Sequence, residues 1–119
     1  MRVLIVDDTS RARQSMKALL DVWYQLEEVR EATDGTEAVD VVEEFLPDVI
    51  LMDARMPKMG GLEATKLIKG KWPQIKIIII SIYPDCQGLA LAAGADGFVC
   101  KSDPPENLRK ALAEVMQKK

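Results

Sequence analysis

The stretch PDVILMD at residues 47–53 decides the fold of this chain. Its central residues, Val49 to Met52, are all apolar, whereas a strand with one solvated face alternates apolar and polar residues. An uninterrupted apolar run of this length is typical of a strand covered on both faces, as in a parallel sheet between helices. A second strand-like segment at 75–80, followed by Ser81, indicates the same arrangement. Together the two runs predict a buried parallel sheet.

Strand-like and helix-like apolar spacing alternate outward from these runs. Five strands are expected, at residues 2–6, 28–32, 48–53, 75–80 and 97–100. Five helices are expected, beginning after Thr9 or Ser10, at Asp34-Gly35, near Leu62, after Pro84 and after Pro104-Pro105. Asp34 with Glu37 resembles a capping box, and Leu67 and Ile68 mark the third helix. Five strand–helix repeats predict an α/β fold with an open, doubly wound parallel sheet and right-handed crossovers.

Length and composition bound the remaining possibilities. The chain has 119 residues, 48% of them apolar and 29% charged, which predicts one globular domain spanning 1–119. No apolar run approaches the ~20 residues that span a bilayer, and the first apolar run meets Asp7-Asp8 too early for a signal peptide. We therefore expect a soluble, cytoplasmic protein without membrane contact.

Several classes of chemistry are excluded by residues that the chain lacks. It contains no histidine, so a Ser-His-Asp triad, a Cys-His pair and a histidine-bearing zinc site are impossible. Its two cysteines, Cys86 and Cys100, are too few for a disulfide scaffold, and we expect buried or half-buried thiols. The net charge of −3 gives no basic footprint for direct nucleic-acid binding. Carboxylates, hydroxyls and lysines remain as the chemical groups.

Polar residues follow four of the five predicted strands. Ligands of open α/β sheets bind beyond the carboxyl ends of the strands, where the strand order reverses. If the order is 2-1-3-4-5, strands 1 and 3 are neighbours at that point. The residues that would then converge are Asp7 and Asp8 after strand 1, Asp53 at the end of strand 3, Ser81 after strand 4 and Lys101 after strand 5.

Three converging carboxylates require a compensating charge. Two like charges ~4 Å apart repel by about 4 kcal/mol at an effective dielectric near 20. Oxygen ligands without histidine or cysteine select a hard cation such as Mg²⁺, with Asp8 and Asp53 as its best candidates and Asp7 close by. A metal-bound carboxylate near an ammonium suggests phosphoryl transfer, in which Asp53 attacks phosphorus and forms an acyl phosphate. Lys101 and Ser81 would then contact other phosphoryl oxygens.

The residues carry a family resemblance over essentially the whole chain. The sequence is similar to the receiver domains of two-component response regulators, and closest in character to those linked to helix-turn-helix outputs. The matching motifs are Leu4-Ile5-Val6-Asp7-Asp8, Asp34-Gly35 with Glu37-Ala38, Pro47 to Asp53, Met56-Pro57 with Gly61, Ser81, and Gly94-Ala95 with Gly97-Phe98 and Lys101.

The resemblance implies a flavodoxin-like (βα)5 fold and a role for each matching residue. Asp53 would be the phosphoacceptor, and Asp7, Asp8, Asp53 and the backbone carbonyl of Arg55 would hold Mg²⁺. Ser81 and Lys101 would sense the phosphoryl group, and Phe98 would be the aromatic switch residue.

Partners are implied in the same way. A sensor histidine kinase would donate the phosphoryl group, and phosphorylation would reshape the surface of helix 4, strand 5 and helix 5. An output domain or protein, acting in transcription, would read that surface, and activation would allow a homodimer. The domain would be a signalling switch with self-phosphorylation and autodephosphorylation, rather than a turnover enzyme.

The sequence departs from the commonest family pattern beside the expected pocket. Ser102 follows Lys101 where a proline is frequent, so we expect a trans peptide or a remodelled loop there. Ile82 occupies a position where small residues are common, and its bulk would restrict access. Arg55 and Tyr83 flank the same pocket, so these three side chains are expected to tune the lifetime of the phosphoryl group.

Two rival functions remain open at this point. A haloacid-dehalogenase-type phosphatase also uses an aspartyl phosphate, but its D-x-D pattern does not match the adjacent Asp7-Asp8, and 119 residues leave no cap. An unphosphorylated docking module is the second rival, although the intact set of site residues argues against it. The phosphate-binding motifs G-x-x-x-x-G-K-[ST] and G-x-G-x-x-G are absent, which disfavours a nucleotide-binding enzyme.

Overall fold

Strands and helices alternate along residues 1–117, the part of the chain that the computed structural model describes. The strands are β1 Arg2–Val6, β2 Glu28–Ala32, β3 Val49–Asp53, β4 Lys76–Ser81 and β5 Gly97–Cys100. The helices are α1 Ser10–Trp23, α2 Gly35–Phe45, α3 Gly61–Lys71, α4 Gln87–Ala92 with a 3₁₀ turn at Pro84–Cys86 before it, and α5 Pro105–Gln117. The last two residues, Lys118 and Lys119, lie outside the described part of the chain.

All strand pairs are parallel, and the strand order is β2-β1-β3-β4-β5. The predicted doubly wound sheet and its order are therefore confirmed. Because β1 lies between β2 and β3, the order reverses between β1 and β3, where Val6 pairs with Met52. The residues that follow these two strands accordingly lie side by side.

Two apolar layers enclose the sheet, as the uninterrupted apolar runs predict. Alternate strand residues, Leu4, Ile50 and Ile79 among them, pack under the side that carries α2, α3 and α4. Their neighbours, such as Ile5 and Leu51, pack under α1 and α5. Full burial of one such side chain contributes about 1.5–3 kcal/mol, so both faces of the central strands stabilise the fold.

The helices form as predicted, but α2 and α3 each differ from the prediction in one detail. The Asp34 carboxylate accepts a hydrogen bond from the Glu37 backbone N–H at 2.9 Å, but the Glu37 carboxylate accepts from the Thr33 hydroxyl. The capping box is thus formed in one direction only. In α3, Ile68 is buried as expected, whereas Leu67 is 50% exposed because it lies one position round the helix from the core side.

The segment between β3 and α3 is tied to the rest of the fold at both ends. A β-carbon at Gly61 would overlap the carbonyl oxygen of Asp53, so only glycine allows α3 to start this close to the strand. The Gly61 N–H donates to the Ala54 carbonyl at 2.9 Å, and the Gly35 N–H donates to the Met59 carbonyl at 2.8 Å. Backbone hydrogen bonds therefore hold this segment against the end of β3 and the start of α2.

None of the helices within residues 1–117 is long and apolar enough to cross a membrane.

Candidate functional site

Three carboxylates meet at the carboxyl edge of the sheet, where the strand order reverses. One oxygen each from Asp7, Asp8 and Asp53 lies within 4.8 Å of the others. Asp7 is buried, Asp53 is half-buried and Asp8 is exposed. The spacing follows from the parallel pairing of β1 and β3, which brings residues 46 positions apart in the chain to one place.

Lys101 supplies the positive charge of the cluster. Its ammonium lies 2.9 Å from Asp7 Oδ2 and 3.5 Å from Asp53 Oδ2. The β5 backbone places it there, because the Lys101 N–H donates to the Ser81 carbonyl at 2.7 Å and so extends the pairing of β4 with β5. The structure thus brings together the ends of β1, β3, β4 and β5, as the sequence predicts.

Asp7 is held in its ionised form. Burial alone would raise the pKa of its carboxyl, but the hydrogen bonds of Thr9 and Lys101 and the charge of Lys101 together lower the pKa. Asp7 Oδ1 accepts from the Thr9 N–H at 2.9 Å and from the Thr9 hydroxyl at 3.0 Å. Thr9 is the N-cap residue of α1, one of the two positions expected for the helix start, but its hydroxyl turns back to Asp7 and makes no cap hydrogen bond.

Asp53 experiences the opposite balance. Burial raises the pKa of its carboxyl, and the negative charge of Asp7 adds to the rise, while Lys101 only partly opposes it. Burial works against the charge of Lys101 too, but the two carboxylates raise its pKa and keep the ammonium protonated. Three carboxylates share one ammonium, so the cluster holds more negative than positive charge, and Lys101 lies closer to Asp7 than to Asp53.

The donor set fits a small hard cation. Three carboxylate oxygens within 4.8 Å of one another, with neither histidine nor cysteine, form the kind of site that binds Mg²⁺ through a few carboxylates and several waters. One ammonium compensates only part of their charge, so a divalent cation would relieve the remaining repulsion.

A cavity of about 200 Å³ opens beside Asp53. It is lined by Asp53, Arg55, Ser81, Ile82, Tyr83 and Lys101, so five predicted site residues surround the predicted phosphoacceptor. Its volume and its charged lining suit a small anionic group rather than an apolar ligand.

Ser81 and Tyr83 are coupled at the rim of this cavity. The Ser81 Oγ accepts a hydrogen bond from the Tyr83 N–H at 3.0 Å, which leaves the Ser81 hydroxyl hydrogen free to donate. The Arg55 guanidinium lies over the Tyr83 ring, 4.2 Å from its centroid. Ile82 lies between Ser81 and Tyr83 in the sequence and is 60% exposed. This wall of the cavity is therefore partly open to solvent.

Among the predicted site residues, Phe98 lies neither in the acidic cluster nor in the lining of this cavity. It is half-buried on β5, packs against the core under α2, α3 and α4, and lines a separate cavity with Pro84 and Gln87. No cis peptide bond occurs among the described residues, so the peptide after Lys101 is trans. Cys86 and Cys100 are free and buried, as expected.

Arg13 belongs to the site although sequence reasoning missed it. Its guanidinium Nη1 donates to the Asp7 carbonyl at 2.8 Å, and its Nε donates to Glu31 Oε1 at the same distance. The signal was its spacing: Arg13 lies four residues after Thr9 on the first turn of α1, where side chains lean toward the helix N-terminus and the end of β1.

Comparisons with known proteins agree with this geometry. Residues 3–113 match the family described as "Response regulator receiver domain". The chain is 35% identical over 119 residues to the transcriptional regulatory protein DegU of Brevibacillus brevis, a match that covers 98% of this chain and 50% of DegU. The chain thus spans about half the length of the curated relatives it matches.

Solved structures of response regulators are also similar to this chain. A LuxR-family two-component response regulator from Aurantimonas sp. SI85-9A1 superimposes with a TM-score of 0.91 and 31% identity, covering 99% of this chain and 86% of that one. The response regulator domain of Thermotoga maritima CheB gives a TM-score of 0.84 and 34% identity, covering 100% and 98%.

Proposed function

The chain belongs to the response regulator receiver domain family, and from that premise we propose that it is a switch activated by phosphorylation of Asp53. Receivers of this family are signalling domains of regulators rather than turnover enzymes. The observation that carries the proposal is the position of Asp53, which lies in the acidic cluster, within 3.5 Å of Lys101 and on the wall of the cavity. A nucleophile, a charge-compensating ammonium and space for a phosphoryl group therefore coincide.

The proposed reaction transfers a phosphoryl group from a phosphohistidine to Asp53. An Asp53 carboxylate oxygen attacks the phosphorus of a phosphohistidine, the phosphorus–nitrogen bond breaks, and its electron pair stays on the imidazole, which takes a proton from solvent. The product is an acyl phosphate on Asp53. No general base is required, because an aspartate is ionised at neutral pH. Mg²⁺, held by Asp7, Asp8, Asp53 and the Arg55 carbonyl, would supply positive charge that offsets the phosphoryl charge.

Conformational change would follow from contacts with the new group. Lys101 would pair with one phosphoryl oxygen, and the free hydroxyl hydrogen of Ser81 would donate to another. Each such charge-assisted contact contributes about 1.5–3 kcal/mol, and moving a two-state switch from 1:99 to 99:1 requires about 5.5 kcal/mol. A shift of Ser81 toward the phosphoryl group would let Phe98 turn inward and reshape the face formed by α4, β5 and α5.

The partners follow from the same proposal. A sensor histidine kinase would donate the phosphoryl group, and an output domain or protein would read the face of α4, β5 and α5, with a homodimer as one active form. Relatives of this chain are named transcriptional regulatory proteins, so we propose control of transcription as the output and the cytoplasm as the location. Ile82, Arg55 and Tyr83 would set the lifetime of the acyl phosphate through access of water.

Incubation with acetyl phosphate and Mg²⁺, followed by intact mass measurement, tests the function. We expect one added phosphoryl group on the wild-type chain and none on Asp53→Asn. Asp40→Asn, an exposed position on α2, is the matched control and should retain the adduct. Failure of the wild-type chain to gain mass would overturn the proposal and favour an unphosphorylated docking module.

A further inference from the structure

We propose that Arg13 is a positioning residue for the cation pocket, acting through the backbone of Asp7 on the direction of the Asp8 side chain. The inference rests on the proposed function, since it concerns how the acidic cluster binds Mg²⁺. Arg13 would touch neither the metal nor the phosphoryl group.

The contacts of Arg13 join three elements of the fold. Nη1 reaches the Asp7 carbonyl at the end of β1, and Nε reaches the Glu31 carboxylate on β2, both at 2.8 Å. The side chain of Arg13 is only 14% exposed, so these are shielded, charge-assisted hydrogen bonds. Glu31 fixes one edge of the guanidinium, and the other edge is thereby aimed at Asp7.

Asp8 is the carboxylate that needs such support. Asp7 is fixed by Thr9 and Lys101, and Asp53 lies in an ion pair with Lys101. Within residues 1–117, Asp8 is exposed and takes part in none of the side-chain hydrogen bonds and ion pairs that fix Asp7 and Asp53. The backbone therefore sets where its β-carbon lies and which side-chain directions are open to it, and the carbonyl that Arg13 holds belongs to the peptide that joins Asp7 to Asp8.

The direction in which Mg²⁺ affinity changes when Arg13 is removed distinguishes a positioning role from a purely electrostatic one. If Arg13 acted only through its positive charge, its removal would strengthen cation binding, and the released Glu31 carboxylate would strengthen it further. If Arg13 positions the peptide, its removal weakens binding even though the cluster becomes more negative.

Calorimetric titration of the whole chain with Mg²⁺ tests this difference. We expect Arg13→Ala to weaken Mg²⁺ binding by about tenfold, the lower end of the effect of removing an outer-shell partner. Arg11→Ala removes the same charge from an exposed position two residues earlier on α1 and is expected to bind as the wild-type chain does, or slightly more tightly. Arg13→Lys keeps the charge and loses the two-point geometry, so we expect several-fold weaker binding.

Amide NMR spectra of the metal-free chains give an independent readout. Arg13→Ala and Arg13→Lys should shift the amide signals of Asp8 and Thr9, whereas Arg11→Ala should not. Unchanged or tighter Mg²⁺ binding by Arg13→Lys would overturn the inference and leave the proposed function standing. Two other outcomes would instead count against the proposed function. One is that the wild-type chain does not bind Mg²⁺, and the other is that Asp8→Asn binds Mg²⁺ as tightly as the wild-type chain does.

Discussion

Two groups of lysine and aspartate side chains lie at opposite edges of the same sheet and differ in their charge balance. At the amino edge, Lys69 of α3 pairs with Asp96, just before β5, at 3.0 Å. At the carboxyl edge, Lys101 lies 2.9 Å from Asp7 and 3.5 Å from Asp53. Distance alone does not separate the two arrangements.

The amino-edge pair is fully satisfied. The Lys69 ammonium donates to the carbonyls of Pro73 and Ile75 and to Asp96, which uses its three hydrogens. Asp96 Oδ2 also accepts from the Ile77 N–H at 2.9 Å. One positive and one negative charge cancel, and each ammonium hydrogen has an acceptor, so this pair joins α3, β4 and the start of β5 without excess charge.

The cluster at the carboxyl edge has an excess of negative charge. Asp7, Asp8 and Asp53 share a single ammonium, and the pKa of Asp53 is raised by burial and by the charge of Asp7. Uncompensated charge, rather than an ion pair as such, therefore distinguishes the candidate binding site from the structural pair.

The largest effect is expected for Asp96→Asn. The substitution keeps an oxygen for the Ile77 N–H but leaves the Lys69 ammonium, whose side chain is 17% exposed, without its counter-charge. We expect a loss of about 2 kcal/mol in the free energy of unfolding, as for other charge-assisted hydrogen bonds. Urea denaturation of wild type and variant measures it. An unchanged midpoint would show that the two clusters do not differ in the way described.

Mg²⁺ should stabilise the chain through the carboxyl edge only. At ten times its dissociation constant, a ligand bound only by the folded state adds about 1.4 kcal/mol. Thermal unfolding with and without Mg²⁺ should show this gain for the wild-type chain and for Asp96→Asn, but not for Asp8→Asn. An equal gain in Asp8→Asn would place the ion elsewhere.

Asp53→Asn should stabilise the chain, opposite in sign to the same change at Asp96. Removing the Asp53 charge relieves its burial and its repulsion by Asp7, and these outweigh its attraction to Lys101. We expect a gain of about 0.5–1 kcal/mol, within the range of stabilising substitutions at functional sites. Urea denaturation without divalent cations is the measurement, and a loss of stability would contradict the charge excess.

The gain from Asp53→Asn should also depend on pH. Because the folded-state pKa of Asp53 is raised, the folded chain binds a proton more readily than the unfolded chain between the two pKa values. Ionisation of Asp53 thus costs stability at neutral pH, and the cost disappears as the pH falls through the folded pKa toward about 3.9. The stability difference between variant and wild type should be full at pH 7 and shrink toward pH 4. A difference constant over this range would exclude Asp53 ionisation as its cause.

The smallest effect concerns the wall of the cavity. Ile82→Ala opens the 60% exposed rim beside Asp53 to water, so we expect the acyl phosphate to decay about threefold faster, less than 1 kcal/mol in barrier. Leu89→Ala, 59% exposed on α4 and outside the cavity lining, is the matched control. Decay of the phosphorylated chains is followed by intact mass, and equal rates would remove Ile82 from the residues that set the lifetime.

The fold could be predicted because its signals are local in the sequence. Apolar runs such as Val49 to Met52 identify buried strands, and the alternation of strands with helices leaves few topologies. The convergence of Asp7, Asp8, Asp53, Ser81 and Lys101 follows once the strand order is given, because each residue comes directly at the end of a strand.

The remaining contacts depend on side-chain directions that no local pattern specifies. The Thr9 hydroxyl had two acceptable roles, and burial of Asp7 decided between them. The spacing of Arg13 places it near the end of β1, but it reaches a backbone carbonyl that any residue would offer, so the spacing does not identify the acceptor. Phe98 was assigned by resemblance, and its place outside the cavity depends on how β5 packs against the core.

The glycine at the start of α3 gives the two flanks of β3 different backbone contacts. A β-carbon at Gly61 would overlap the Asp53 carbonyl oxygen, so the first turn of α3 is in direct backbone contact with the end of β3. On the opposite flank, α4 is six residues long and follows a 3₁₀ turn, with Leu89 and Leu91 facing outward. A displacement of the Asp53 backbone would therefore bear directly on the start of α3, whereas α4 is a short helix whose exposed leucines form an apolar outer surface on the other flank.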